Sequence, residues 1–323
     1  MNNLIQNFPI DLMTALDRPT PYPKVKSNLK NIVLIGMGGS GIGAYLVKNW
    51  LKNEIEIPIS VCQDYSVPNF VDENTLAVAC SYSGNTEETL SAVKEAHKKN
   101  AVIHAITSGG ILAKFCEDNL YSCSLVPAGF APRTQLAHMC VSLSKVIIAH
   151  NIYLGSFINS LFFSYRSLFK EQENFKEEAR NIAKIIENKR VIIYSDSQNE
   201  ALAIRAKQQF QENAKILSSH HVIPEMNHNE LVGWAGGSND IAVLFLKTKA
   251  MHSQNEKRFS FTENIVSKYT DSICTVNSEA EDPVVASMHI IHILDWVSFY
   301  LAELRNVNPM EVEVIDSLKK HLL

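Results

Sequence analysis

Five short apolar runs in the first half of the chain constrain its fold more than any other feature: NIVLIG (31–36), PISVCQ (58–63), TLAVAC (75–80), AVIHAIT (101–107) and YSCSLVP (121–127). They are rich in Val, Ile and Ala, with little alternation of polar and apolar residues. That pattern suits strands buried on both faces of a parallel sheet. Helical patterns fall between them, at 40–52, 85–98, 110–118 and 133–149. Strand and helix repeating in this order predict a doubly wound α/β layer, with helices covering both faces of one parallel sheet.

The second half repeats the plan. Residues 151–188 read as an amphipathic helical connector, and the strand RVIIYS (190–195) restarts the alternation. The helix NEALAIRAKQQFQENAK (199–215), the strands IAVLFLK (241–247) and SICTV (272–276), a long helix at 283–304 and a last helix near DSLKKHLL (316–323) follow. The expectation is two doubly wound domains, 1–152 and 153–323, each a three-layer α/β/α sandwich, with a helical tail at the C-terminal end.

Composition narrows the function classes. A net charge of −4 and no block of like charges give no reason to expect a nucleic-acid partner. The N-terminal MNNLIQNFPIDLM has no basic segment followed by an apolar one, so no signal peptide is expected. The six cysteines form no CxxC pair and sit mostly in apolar runs, as reduced core thiols of a cytoplasmic protein would. The run PVVASMHIIHILDWVSFYLA (283–302) is long enough to cross a bilayer, but His289, His292 and Asp295 interrupt it. A buried or subunit-interface helix is the expectation there, and no membrane association.

Two turns carry the chemistry. IGMGGSGIGA (35–44) holds Gly36-x-Gly38-x-x-Gly41 directly after a strand, the spacing of a dinucleotide-binding turn. Asp64 follows the second strand, but 28 residues after Gly36, later than the roughly 20 expected of a ribose-binding carboxylate. Taken alone, this turn suits a nucleotide, a sugar phosphate or no ligand. SYSGNTEETL (81–90) is a second such turn, after the third strand, with Ser81, Ser83 and Thr86 around Gly84. Parallel strands end on one edge, so both turns are expected at one crevice, where hydroxyls and helix N-terminal amides could ring a phosphate without a lysine. Asn85 and Glu88 fit a capping box for the helix that follows.

Together these residues resemble the sugar isomerase (SIS) domain, an α/β fold that binds phosphosugars. QENAK (211–215), PEMNHNELVGW (224–234), APRTQL (131–136) and the terminal IDSLKKHL (315–322) are similar to the bifunctional phosphoglucose/phosphomannose isomerases, across nearly the whole chain as two SIS domains. The resemblance implies interconversion of glucose 6-phosphate, and of mannose 6-phosphate, with fructose 6-phosphate, and needs neither metal nor nucleotide. It implies that Ser81, Ser83 and Thr86 bind the phosphate, and that Gly39 and Ser40 contact the sugar. It further implies Arg133 beside the reacting carbons, Glu212 as base, and His228 and Lys319 as ring-opening groups. His228 would come from the other subunit of a homodimer. The family approaches its last helix through a Pro- and Thr-rich stretch. Here the approach reads NPMEVEVID (308–316), with Met310 where threonine is common.

The reaction has a use for each group. Moving a proton between C1 and C2 needs a base on one face of the chain, a role suited to a carboxylate such as Glu212. The enediolate oxygens develop negative charge, which a fixed guanidinium stabilises. Ring opening moves a proton between the ring oxygen and O1, and histidine titrates in the useful range. Lys320 is an alternative to Lys319. A metal cluster of His220, His221, His228 and Glu230 fits no helical HExxH spacing, so no metal is expected. Two further readings keep the turns but not the chemistry: a non-catalytic phosphosugar sensor, and a nicotinamide-dependent oxidoreductase reading Gly36, Gly38 and Gly41.

Overall fold

The computed structural model describes residues 1–21, 28–150, 152 and 156–322. The chain divides into two compact units, one of Asn7–Arg166 and one of Met1–Gln6 with Ser167–Leu323. The domain boundary expected between 152 and 153 falls on residue 153, outside the described residues.

Two short helices that the apolar pattern did not announce open the chain, α1 (Asn2–Gln6) and α2 (Phe8–Asp17). The N-terminal unit then alternates β1 (Asn31–Ile35), α3 (Gly38–Leu51), β2 (Ile59–Cys62), β3 (Thr75–Cys80), α4 (Glu87–Lys98), β4 (Val102–Thr107), α5 (Gly110–Asp118), β5 (Ser122–Leu125) and α6 (Leu136–Ala149). All five expected strands form, in the order β2-β1-β3-β4-β5, and every neighbouring pair is parallel. β3 is buried along its whole length, which is why TLAVAC carries no polar alternation. Val33, Ile35, Ala77 and Ala79 meet Ala92, Val93 and Ala96 of α4 and Leu112 and Cys116 of α5 in one core. The chain leaves β1 toward β2 and returns across it to β3. The order therefore reverses between β1 and β3, where open α/β sheets bind ligands at the strands' C-terminal ends.

The C-terminal unit takes in most of α7 (Phe157–Ile186), which begins in the other unit. It continues with β6 (Arg190–Asp196), α8 (Glu200–Ala214), β7 (Ser218–Ile223), α9 (Glu230–Gly233), β8 (Ile241–Thr248), α10 (Ser253–Val266), β9 (Ile273–Ser278), α11 (Pro283–Leu304) and α12 (Glu313–His321). Its sheet is parallel in the order β7-β6-β8-β9, the same winding as the first four strands of the N-terminal sheet without a fifth. β7 was not visible in the apolar pattern because it is an edge strand, mostly half-buried, and its SSHHVI needs no continuous apolar face.

The long apolar run is α11. Every side chain from Val284 to Ala302 except His289 is buried, so its bilayer-like length serves a protein core. Its polar interruptions have partners. Arg205, Gln209 and Asn213 recur every four residues on α8, and all three reach it. Arg205 Nη2 lies 2.6 Å from Asp295 Oδ2, Gln209 Nε2 donates to Asp295 Oδ1 at 2.9 Å, and Asn213 Nδ2 donates to Ser298 Oγ at 2.9 Å. An ion pair buried this deeply is costly to break, about 3–5 kcal/mol, because either charge left alone has lost its water. It fixes the register of α8 on α11. His292 is buried in the core, and His289 is half-buried beside it. His289 shares hydrogen bonds with Ser167 and Ser278, and His292 accepts one from Trp296 Nε1.

Candidate active site

In the N-terminal unit three segments meet at the reversal between β1 and β3. The glycine turn opens α3 at Gly38, and Gly39 lies so close to the Pro132–Thr134 turn that a Cβ there would sit 3.2 Å from the Arg133 Cα and N. A side chain there would push the two turns apart by a few tenths of an ångström. Ser40 is buried, and its hydroxyl accepts the backbone N–H of Tyr82 at 3.1 Å, which joins the glycine turn to the serine turn. Arg133 is buried in a single 3-10 turn before α6, begun by Pro132. Gly39, Ser40, Ser81, Tyr82 and Arg133 thus form one packed unit.

The serine turn differs in detail from the expected capping box. Thr86 holds the N-cap position of α4, and its side chain makes no capping bond there. Asn85 serves α5 instead, its Oδ1 accepting the Ile111 N–H at 3.0 Å. The cause is a tertiary contact: Gly84, at φ +69°, packs against the turn after β4, and a Cβ there would lie 1.8 Å from the Gly109 carbonyl. With Asn85 engaged elsewhere, the first amides of α4 face no side-chain acceptor of their own. Ser81 Oγ and Thr86 Oγ1 lie 2.9 Å apart beside that helix end, while Ser83 is exposed, its hydroxyl accepting the Asn85 N–H at 3.2 Å. Ser81 and Thr86 are therefore brought together, and Ser83 is not bonded to either. Glu87, the acidic neighbour, is exposed. An uncapped helix start with two adjacent hydroxyls is suited to an anion.

The glycine spacing does not make a dinucleotide site here. The sheet order is 2-1-3-4-5 rather than the paired halves of a dinucleotide fold, and the Asp64 carboxylate accepts the N–H of Tyr65.

In the C-terminal unit Glu212 lies half-buried in the last turn of α8, on the helix seated by Arg205, Gln209 and Asn213. Lys215 closes that helix in a left-handed conformation, φ 56°. The PEMNHNE loop (224–230) is braced by bonds within itself and to its neighbours. Asn229 donates to Glu225 Oε1 at 3.0 Å and accepts the Glu230 N–H, and Asn227 donates to Thr262 Oγ1 at 3.0 Å. Glu230 joins the Tyr194 hydroxyl to His221 Nδ1, the latter at 2.8 Å, and Trp234 Nε1 donates to Tyr194 at 3.0 Å. Burial, reinforced by the Glu230 carboxylate, holds the Tyr194 phenol well above its usual pKa. His228, on a 3-10 turn of this braced loop, is exposed. Lys319 and Lys320 are both exposed on α12, with Lys319 Nζ 3.8 Å from Asp316. Among the described residues no three His, Cys, Asp or Glu side chains group to hold a metal ion, and His221 is engaged with Glu230.

Residues 27–149 match the SIS domain family, and residues 175–322 match the bacterial phospho-glucose isomerase C-terminal SIS domain. The bifunctional phosphoglucose/phosphomannose isomerase of Thermoplasma volcanium is 36% identical over 90% of this chain and 91% of its own. That of Aquifex aeolicus is 34% identical over 94% and 91%. The chain belongs to the bifunctional phosphoglucose/phosphomannose isomerase family. Among solved structures, the C-terminal domain of a glucosamine-fructose-6-phosphate aminotransferase from Francisella tularensis superposes with a TM-score of 0.76 at 16% identity, over 95% of this chain and 97% of that one. At that identity the likeness speaks for the fold alone.

For a member of this family, the candidate residues fall into two sets. Gly39, Ser40, Ser81, Thr86 and Arg133 are assembled in the N-terminal unit, with Ser83 at its exposed margin. Glu212, His228 and Lys319 belong to the C-terminal unit. Two supporting groups escaped the sequence reading. They are Tyr82 and Lys215, neither of which the motifs single out.

Proposed function

We propose that this protein interconverts glucose 6-phosphate and mannose 6-phosphate with fructose 6-phosphate through an enediolate. The observation that carries the reading is the uncapped start of α4 beside the paired hydroxyls of Ser81 and Thr86, in a chain of this isomerase family. The phosphate is held there by Ser81, Ser83, Thr86 and the helix amides, and it contributes binding energy remote from the reacting carbons. Gly39 and Ser40 line the sugar. Glu212 takes the proton from one carbon and returns it to the next, while Arg133 stabilises the enediolate charge. Lys319 and a His228 supplied by the partner of a homodimer move the proton that opens the ring. The enzyme works as a soluble protein of the cytoplasm, with no metal or nucleotide in this scheme.

The test is direct. Purified protein is given fructose 6-phosphate, and glucose 6-phosphate and mannose 6-phosphate are measured. Appearance of both supports the reading. Binding of fructose 6-phosphate without either product would make the chain a phosphosugar sensor instead.

A further inference from the structure

Lys215 stands out for both its backbone and its bonds. It is the C-cap of α8, in a left-handed conformation that glycine or asparagine adopts more easily. An ammonium has three protons to donate, and here Nζ reaches three main-chain carbonyls: Glu212 at 2.7 Å, Asn308 at 2.9 Å and Glu311 at 2.8 Å. The first is one of the end carbonyls of α8, which the helix itself leaves unpaired. The other two belong to the stretch between α11 and α12.

Within that stretch the Met310 N–H donates to Asn308 Oδ1 at 2.9 Å. Asn308, Met310 and Glu311 are exposed, and no side chain of α12 is buried. Upstream, Arg305 Nε donates to the Ala214 carbonyl at 3.0 Å, so the chain is tied to the α8 end at its start and by Lys215 in its middle. The lysine holds backbone rather than side chains. It can therefore act on NPME (308–311) although these residues depart from the Pro- and Thr-rich stretch of similar proteins.

We propose that Lys215 is a positioning residue of the isomerase: its ammonium staples the segment leading to α12 onto the helix end that carries Glu212. One side chain thereby sets both the frame of the base and the path of the chain toward Lys319. The proposal rests on the reading of Glu212 as base.

The experiment uses the full chain with Lys215→Gly, which suits the left-handed backbone and removes the ammonium. A plain helix cap predicts unchanged or improved behaviour for this variant. The staple predicts a kcat for fructose 6-phosphate lower by about tenfold or more, with KM within about threefold because the phosphate groups lie elsewhere. It also predicts amide exchange over 306–321 faster by roughly tenfold. A kcat within twofold of the parent overturns the proposal, and so does a kcat loss with exchange over 306–321 unchanged. Lys215→Asn, which also accepts the left-handed conformation, is judged by the same criteria should the glycine variant fail to fold. A Glu212→Gln variant that keeps its turnover would refute the base assignment. The exchange measurement on Lys215→Gly would still decide whether the staple exists.

Discussion

The backbone N–H of Tyr82 donates to the Ser40 hydroxyl at 3.1 Å, and both residues are buried. This bond ties the turn after β1 to the turn after β3 at the place where the strand order reverses. Ser40 was expected to contact sugar directly, and its geometry adds a second duty, holding the serine turn in place. Ser40→Ala leaves the buried Tyr82 N–H without that acceptor, a loss of about 1–3 kcal/mol. The expected result is a lower unfolding free energy in urea together with a KM for fructose 6-phosphate raised roughly tenfold. If neither quantity moves, the bond has no part in shaping the serine turn.

Gly84 makes a sharper case. Its φ is +69°, and a Cβ there would meet the Gly109 carbonyl at 1.8 Å. That carbonyl is itself held by the Thr107 hydroxyl at 2.8 Å. Neither side can give way cheaply, so Gly84→Ala should fall in the rare class of losses above about 4 kcal/mol. Soluble yield and melting temperature are the measurements. A variant with parental stability would mean that the two turns are not packed as described.

How far the sequence could be read follows from which forces act locally. Buried strands such as TLAVAC betray themselves because both faces must be apolar, and all five N-terminal strands and the three apolar C-terminal ones were found this way. β7 was not, since its SSHHVI lies at a sheet edge. α10 went unread although Phe259, Thr262 and Val266 mark one buried face, because polar residues dominate SQNEKRFSFTENIV. Asn85 was assigned to the wrong helix because its partner, the Ile111 N–H, is brought near only by the packing of Gly84 on Gly109. The staple at Lys215 was invisible for the same reason, since its acceptors at 308 and 311 are almost a hundred residues away. Family motifs brought the candidate residues to notice, and tertiary contacts decide what each one holds.

Buried histidines make stability fall in mild acid. Burial, helped by His150, pushes His104 down to about 4, and burial, helped by Lys176 and His289, pushes His292 down to about 3. Both folded values lie below the unfolded one near 6.5, so the unfolded chain takes up protons first as pH drops. Stability is then complete above about pH 6.5 and is lost as pH falls toward the folded values, at about 1.4 kcal/mol per pH unit for each histidine. His138, pushed down to about 4 chiefly by burial, is opposed by Asp11, which burial pushes up to about 6, and these two largely cancel. His104 lies in the N-terminal unit and His292 in the C-terminal unit, and each contributes about 2 kcal/mol toward a lower unfolding free energy in urea at pH 5 than at pH 7. His292→Gln, whose amide oxygen can still accept from Trp296, should flatten the dependence in the C-terminal unit. A pH dependence that His292→Gln leaves unchanged would show that this imidazole reaches water when folded.

Glu212 offers the cleanest separation of chemistry from structure. The helix that carries it is seated by Arg205, Gln209 and Asn213, and its last carbonyls are taken by Lys215 and Arg305. The Glu212 carboxylate bears none of these bonds. Glu212→Gln keeps the size of the side chain and removes its basicity, so turnover of fructose 6-phosphate should fall by about 10²–10⁴. Melting temperature should stay near that of the parent, and binding of fructose 6-phosphate, read by thermal shift, should persist because the proposed phosphate site is the turn at Ser81 and Thr86. Retained turnover would move the base elsewhere. Lost binding would mean that Glu212 holds the sugar rather than deprotonating it.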